Sequence, residues 1–434
     1  MGKNILVCTV ECWDSKSGAD TFPMILKKYS PKNIANISIR DGVPENECCS
    51  RYFQISEQKV IKSIFNRNIK TGKEYVFEQG KSEQDIQDIT NSQELYNKNR
   101  KKRSYLKLFI RELIWKLGVW RTKELDAFLD DFKPDIVLFC MGGYIHFNRI
   151  CRYVVKKSGA KAVGYFWDDN FTYTHLKESF GHTALRFFQR ISLKKLAKSC
   201  SAFWAITDKT KQEVDEFFGV NCEVLTKPIT FKEDDEWRSY NVNTPIKMLY
   251  TGNLLIGRFA VIKQLSKALE KVNENGKKIE LDIYTATYIS EDEKQELSEF
   301  VNLKGTVTQE EVLQLQKQAD ILLFVEALSG SDSKIARLSF STKITDYLYS
   351  GKCIFAIGAG DVAPMEYLKA QDAAIIATSQ EEMYSKLVDI IENPEIIMQK
   401  AKNAFDCGRR NHNRKDIEEK IEKTFLRVLK DKNN

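Results

Sequence analysis

The chain alternates between short, almost wholly apolar runs and longer stretches whose apolar residues recur every three or four positions. Residues 4–10 open it with a run that suits a central parallel strand, buried on both faces. Runs at 34–39, 135–140, 161–166, 202–206 and 222–225 predict further strands. Helical patterns separate most of them, beginning with Phe22 to Tyr29, so this half reads as an α/β layer structure around a parallel sheet. The pattern breaks over 229–245, which predicts a linker. A second series starts at Ile246, with a strand into the Thr251-Gly252-Asn253 loop and a helix reaching Asn275. Strands at 281–284, 321–325, 353–357 and 374–377 follow. Ser290 with Glu293, Thr308 with Glu311 and Ser379 with Glu382 have capping-box spacing at three helix starts. In the tail, 411–434, Ile417, Ile421, Phe425, Val428 and Leu429 keep helical spacing.

Composition narrows this picture. A chain of 434 residues can build two cores, and 42% hydrophobic with 29% charged residues excludes a disordered protein. No apolar run approaches about eighteen residues, so no membrane-crossing helix is predicted. The first residues enter a strand without signal-peptide anatomy, and Leu6 stands where a myristoylation signal needs Ser or Thr. Of ten cysteines, Cys8, Cys140, Cys222 and Cys353 fall in predicted strands, where a free thiol packs as a small hydrophobe. No Cys-x-x-Cys occurs, and His146, His175, His182 and His412 have no ligand spacing. A reduced, cytoplasmic protein with no structural metal and no cofactor is expected. The net charge of +7 fits an anionic substrate or membrane surface and is too small to argue for nucleic acid.

One stretch could carry such a membrane contact. Over 99–123 a basic block, Arg100-Lys101-Lys102-Arg103, precedes Leu106, Phe109, Ile110, Leu113, Trp115 and Trp120. Basic residues beside large apolar ones suit a helix lying in an anionic membrane surface. The same face would equally pack a helix onto the sheet, and both readings stand.

Candidate chemistry concentrates between Ser339 and Gly358. The order is a polar loop, a short helix closed by Gly351 and a buried strand from Cys353. Ser341 and Thr342 lie where a helix start has unpaired amides, an arrangement suited to an anion such as a diphosphate. Lys343 and Asp346, three apart, share a helix face; a cation suits phosphate and a carboxylate suits vicinal hydroxyls. An ordinary capped helix would look the same.

Three loops at strand ends in the first half also draw notice: Met141-Gly142-Gly143, Trp167-Asp168-Asp169-Asn170 and Thr207-Asp208. Asp168 or Asp169 could orient an acceptor hydroxyl as a base, or simply turn the chain. In the second half, Glu326 ends a strand and could face a sugar. Gly358-Ala359-Gly360-Asp361-Val362-Ala363 matches a dinucleotide fingerprint, with Glu381 and Glu382 about twenty residues on. That fingerprint belongs to the first strand of its domain, and here only one strand follows.

Phe340 through Gly351 resembles the donor-site helix of retaining GT-B glycosyltransferases of the family-4 type. Asp346 falls where that family's second motif glutamate holds the donor ribose, while the first, eight positions earlier, is Leu338 here. Ser17-Gly18-Ala19-Asp20 resembles the turn that opens the family's first helix, and Gly18 would let backbone approach the donor phosphates. Gly252-Asn253 followed by Arg258 and Lys263 resembles the family's diphosphate-binding pair; Arg offers a fork and Lys a point charge to the leaving group. The segment 301–307 is similar to the one whose backbone, at Val307, holds the nucleotide base.

The resemblance implies a GT-B fold, two Rossmann-like α/β/α domains with an interdomain cleft. It implies an acceptor-binding domain at 1–228, a linker at 229–245, a nucleotide-sugar domain at 246–408 and a final helix, 409–434, crossing back to the first. The activity implied is a retaining, metal-independent hexosyl transfer from a nucleotide-sugar, with UDP expected, to a saccharide or lipid-linked glycan. Bacterial capsule or exopolysaccharide assembly at the inner membrane face is the setting it suggests. A sugar-nucleotide epimerase or a non-catalytic partner subunit would share the fold.

Overall fold

The computed structural model describes residues 3–14, 20–77, 105–174 and 179–430. The chain divides into two compact units, Met1–Leu225 with Ile417–Asn434, and Thr226–Asp416. The first contains an eight-stranded sheet: β1 (Ile5–Thr9), β2 (Ile34–Ser38), β3 (Arg51–Ile55), β4 (Gly72–Val76), β5 (Ile136–Cys140), β6 (Lys161–Phe166), β7 (Ala202–Ala205) and β8 (Glu223–Val224). Their order is β4-β3-β2-β1-β5-β6-β7-β8. All neighbours are parallel except β3 and β4. The continuous apolar runs explain the centre, since Ile5 to Cys8 and Ile136 to Phe139 are wholly buried, as helix-covered parallel strands require. β3 and β4 were not predicted, because Arg51, Gln54, Lys73 and Glu74 interrupt the apolar pattern near the sheet edge. Arg51 there bonds Glu74 and Asp131, each at 2.7 Å.

The second unit contains six parallel strands: β9 (Ile246–Thr251), β10 (Ile279–Tyr284), β11 (Val301–Gly305), β12 (Ile321–Val325), β13 (Cys353–Ile357) and β14 (Ile375–Ala377). They run in the order β11-β10-β9-β12-β13-β14. The expected capping boxes form at Ser290 with Glu293 and Thr308 with Glu311. At Ser379 only half does: its hydroxyl accepts from the Glu382 amide, while the Glu382 carboxylate turns to Thr378.

Much of the stretch expected to be a linker packs onto this second unit. Trp237, Tyr240 and Val242 lie against its core. Trp237 Nε1 donates to Gly351 O at 3.0 Å, and the Tyr240 hydroxyl to Asp320 O at 2.8 Å. Buried Asp320 accepts from the amides of Asn243 and Lys247. The tail runs as Arg414–Lys430, and its residues from Ile417 belong to the first unit. There Phe425 packs at 5.8 Å from Tyr29 and 5.9 Å from Trp204, and Glu422 accepts from Tyr29 at 2.8 Å.

Among the described residues, no helix is long and apolar enough to cross a membrane, and no cluster of His, Cys, Asp and Glu could hold a metal. The helix Tyr105–Leu117 buries Trp115 on its inner side. Leu106, Ile110, Leu113 and Leu117 remain exposed on the other. The basic block at 100–103 lies outside the described residues.

Candidate functional site

In the second unit β9 and β12 are the neighbours at which strand order reverses, the place where open α/β sheets bind ligands. β9 ends at Thr251, and Gly252 turns the chain at φ 138°, a conformation L side chains rarely adopt. A Cβ there would lie 1.8 Å from Lys343 Nζ, so Gly252 makes the room that Lys343 occupies. The Tyr250 hydroxyl donates to Asn253 O at 2.6 Å, holding the loop closed. Ile256 then takes φ 57°, strained for a β-branched residue, and Gly257 takes φ 72° before the helix Arg258–Val272.

Arg258 is held on every side of its fork. Nε donates to Val325 O at 3.1 Å, Nη1 to Asn253 Oδ1 at 2.9 Å, and Nη2 to both Glu326 oxygens at 2.9 Å. Glu326, the first residue past β12, is 4% exposed. Burial pushes its carboxyl upward, and the Arg258 charge opposes that rise. Lys343 is nearby, its ammonium 4.9 Å from the Tyr250 ring centroid. Burial first, and then the Arg258 charge, depress its pKa to about 8, against an opposing pull from Glu326.

Lys343 is the second residue of the helix Thr342–Ser350. Ser341 stands at its N-cap without a side-chain bond to the helix amides. Gly351 closes the other end at φ 67°. One turn further in, the Asp346 carboxylate lies 3.7 Å from Lys227 Nζ. Desolvation raises the Asp346 pKa and Lys227 opposes it, although half of the aspartate side chain still meets solvent. No sequence pattern pointed to Lys227. Leu338, at the position of the resembled family's first glutamate, is wholly buried.

The structure does not bring Lys263 to Arg258. Its ammonium pairs with Glu296 at 2.7 Å. The pair that does meet, at the same five-residue spacing, is Asn253 with Arg258, and Lys343 is the second cation nearby. Val307 lies between Gly305 and the Thr308 cap, in the loop after β11. Gly18 lies outside the described residues. Gly358 follows β13, next to last in the sheet, and Glu382 is a helix-capping residue. Neither the topology nor that carboxylate serves a dinucleotide.

The first unit has its own recess at its own reversal point, between β1 and β5. A cavity of about 480 Å³ is lined by the ends of β1 and β5 and by the loop after β6. Its walls include Trp13, Phe22, Tyr144, Phe147 and Trp167, with Glu11, Asp20 and Asp168 supplying carboxylates. Phe22 and Trp167 meet edge to face at 5.1 Å. The adjacent aspartates separate: Asp168 lines the cavity and is exposed, whereas Asp169 is buried and accepts from Thr172 N at 2.9 Å and from its hydroxyl. Asp169 is therefore the turn-forming member of the pair.

Two α/β units, each on a sheet that is parallel apart from β3 and β4 of the first, make up the GT-B fold. Solved structures share it along their whole length. Anabaena HepE in complex with UDP aligns with a TM-score of 0.59 at 12% identity, over 98% of this chain and 100% of that one. Its complex with UDP-glucose gives 0.57 at 12% identity, over 98% and 99%. The E. coli trehalose-6-phosphate structure bound with UDP-2-fluoro glucose gives 0.57 at 11% identity, over 97% and 98%. At such identities the likeness establishes the fold. No family model matches the chain, and no curated protein matches it by sequence.

Proposed function

We propose that the chain is a glycosyltransferase that moves a hexose from a nucleotide-sugar, with UDP the expected nucleotide, to a saccharide or lipid-linked saccharide. One observation carries this reading: Arg258, Lys343 and the uncapped start of Thr342–Ser350 gather at one reversal point. Two cations and free helix amides suit a diphosphate, and they would stabilise the charge that develops as it departs. Asp346 would hold the ribose hydroxyls, backbone near Val307 the base, and Glu326 would fix Arg258. That Anabaena HepE carries UDP and UDP-glucose in its complexes supports the choice of nucleotide.

The acceptor would enter the first unit's cavity, where aromatic walls suit a pyranose face and Asp168, which lines it, would take the hydroxyl proton. Retention, metal independence, a part in cell-surface polysaccharide assembly and peripheral membrane contact through 99–123 belong to the same proposal. The test is release of UDP from UDP-glucose and related donors, with and without saccharide acceptors. Acceptor-dependent release supports transfer; conversion of one UDP-sugar into another without an acceptor would make the chain an epimerase. Buried Leu338 favours one further reading, a non-catalytic partner of an active transferase, which would bind UDP yet never turn over.

A further inference from the structure

We infer that two neighbouring helices of the first unit, Tyr105–Leu117 and Phe180–Ala197, together form a docking face for an anionic lipid surface. At 100° per residue, Leu106, Ile110, Leu113 and Leu117 fall within about 60° of one another. They are 46–58% exposed, while Trp115 on the opposite side is fully buried. The second helix repeats the arrangement. Phe180, Phe187 and Ile191 form its outer stripe and Phe188 stands beside it, these four being 38–90% exposed. The helices touch: Phe109 packs against Phe188 at 6.5 Å and Tyr105 against His182 at 5.4 Å. Two adjoining apolar stripes make a patch of a kind that marks an interaction surface.

Charge identifies the occupant. Lys107 and Lys116 flank the first stripe, and Lys194 and Lys195 continue the second; all four are exposed. The Phe180–Ala197 helix has no acidic residue. The single acid of Tyr105–Leu117, Glu112, is turned inward. A second copy would therefore set lysine against lysine, whereas anionic headgroups complement the flanks while the stripes enter the acyl boundary.

The inner side of the first helix holds the start of the helix Ile145–Ser158. Glu112 accepts from Ile145 N at 3.0 Å and His146 N at 2.8 Å, and lies 2.9 Å from His146 Nδ1. The Trp115 ring stacks on His146 at 4.8 Å. The helix gripped in this way follows directly on the loop of Gly142, Gly143 and Tyr144, which lines the cavity. The docking face and the cavity thus share one support, which suits an acceptor carried on a lipid. The docking deepens the membrane contact already proposed for 99–123, and that last step rests on the proposed glycosyl transfer.

The test is sedimentation of the full chain with vesicles of phosphatidylcholine alone or mixed equally with phosphatidylglycerol, while UDP-induced thermal stabilisation reports the donor site separately. Wild type should pellet with the mixed vesicles and not the neutral ones. Ile110→Glu and Phe187→Glu should each weaken binding by at least about tenfold, and Lys194→Gln with Lys195→Gln by on the order of tenfold. Exposed sites should leave the UDP response unchanged in all of them. Vesicle binding unaffected by Phe187→Glu would overturn the two-helix face. So would no vesicle binding by a wild type that self-associates through the same residues, even with glycosyl transfer intact.

Discussion

The two units answer the same topological rule with opposite chemistry. Each gathers candidate groups where strand order reverses, between β1 and β5 in one and β9 and β12 in the other. In the second unit the charges there are already organised: Arg258 is clamped by Glu326, Asn253 and a carbonyl, and Lys343 is desolvated over Tyr250. In the first a cavity is walled by aromatic rings with carboxylates among them. Prearranged cations are costly to hold and repay that cost only if an anion arrives. Aromatic walls cost little and accept the apolar face of a neutral ring. The proposed donor and acceptor duties would divide accordingly.

The largest break in that contrast should come from Arg258→Ala. Turnover should fall on the order of a hundredfold or more, about 3 kcal/mol of transition-state stabilisation, in a UDP-release assay. The same change strands Glu326 as a buried, unpaired carboxylate, at a cost of about 3 kcal/mol of stability. Adding Glu326→Gln should restore much of the melting temperature and none of the turnover. Gly252→Ala should come next. Its Cβ would strike Lys343, and the φ of 138° is strained for alanine, so UDP binding should collapse in calorimetric titration while binding at the acceptor cavity survives.

pH sharpens the comparison from the donor side. Lys343 is pushed down to about 8, so the ammonium that a diphosphate needs is fully present below that pH and is lost as pH rises through it. Between about 8 and the unfolded lysine value near 10.5, the unfolded chain holds a proton the folded one lacks. The ligand-free fold therefore gains stability with rising pH across that window. Bound UDP should draw the proton back, so titrations near pH 9 in buffers of different ionisation heat should show proton uptake in wild type and none in Lys343→Met. The smallest effect should be Trp167→Ala, which should raise the acceptor KM several-fold, about 1 kcal/mol, and leave the donor KM alone.

Most of the second unit was legible from apolar runs and caps, because parallel strands covered on both faces leave an uninterrupted signal. Arg258, Gly252, Asn253 and Lys343, which the fold gathers at one reversal point, were each singled out by the sequence as well. Their partnership was not: Gly252 and Lys343 are far apart in the chain, and only the fold makes one the space for the other. Lys227 beside Asp346 had no local pattern to betray it. The stretch 229–245 reads as polar overall, yet Trp237 and Tyr240 were the sign that it packs. β3 and β4 escaped because charged residues near a sheet edge imitate a loop. In the first unit the carboxylate pair was visible, but which member faces the cavity depended on the turn that Asp169 makes with Thr172.

The central claim is that the reversal point of the second unit is a nucleoside-diphosphate site built on Arg258 and Lys343. Calorimetric titration of wild type and Lys343→Met with UDP at neutral pH, with NAD as the comparison ligand, tests it most directly. The account predicts UDP binding by wild type, at least about tenfold weaker in the variant, and no response to NAD. Equal UDP affinity in the two proteins, or binding of NAD in place of UDP, would contradict it.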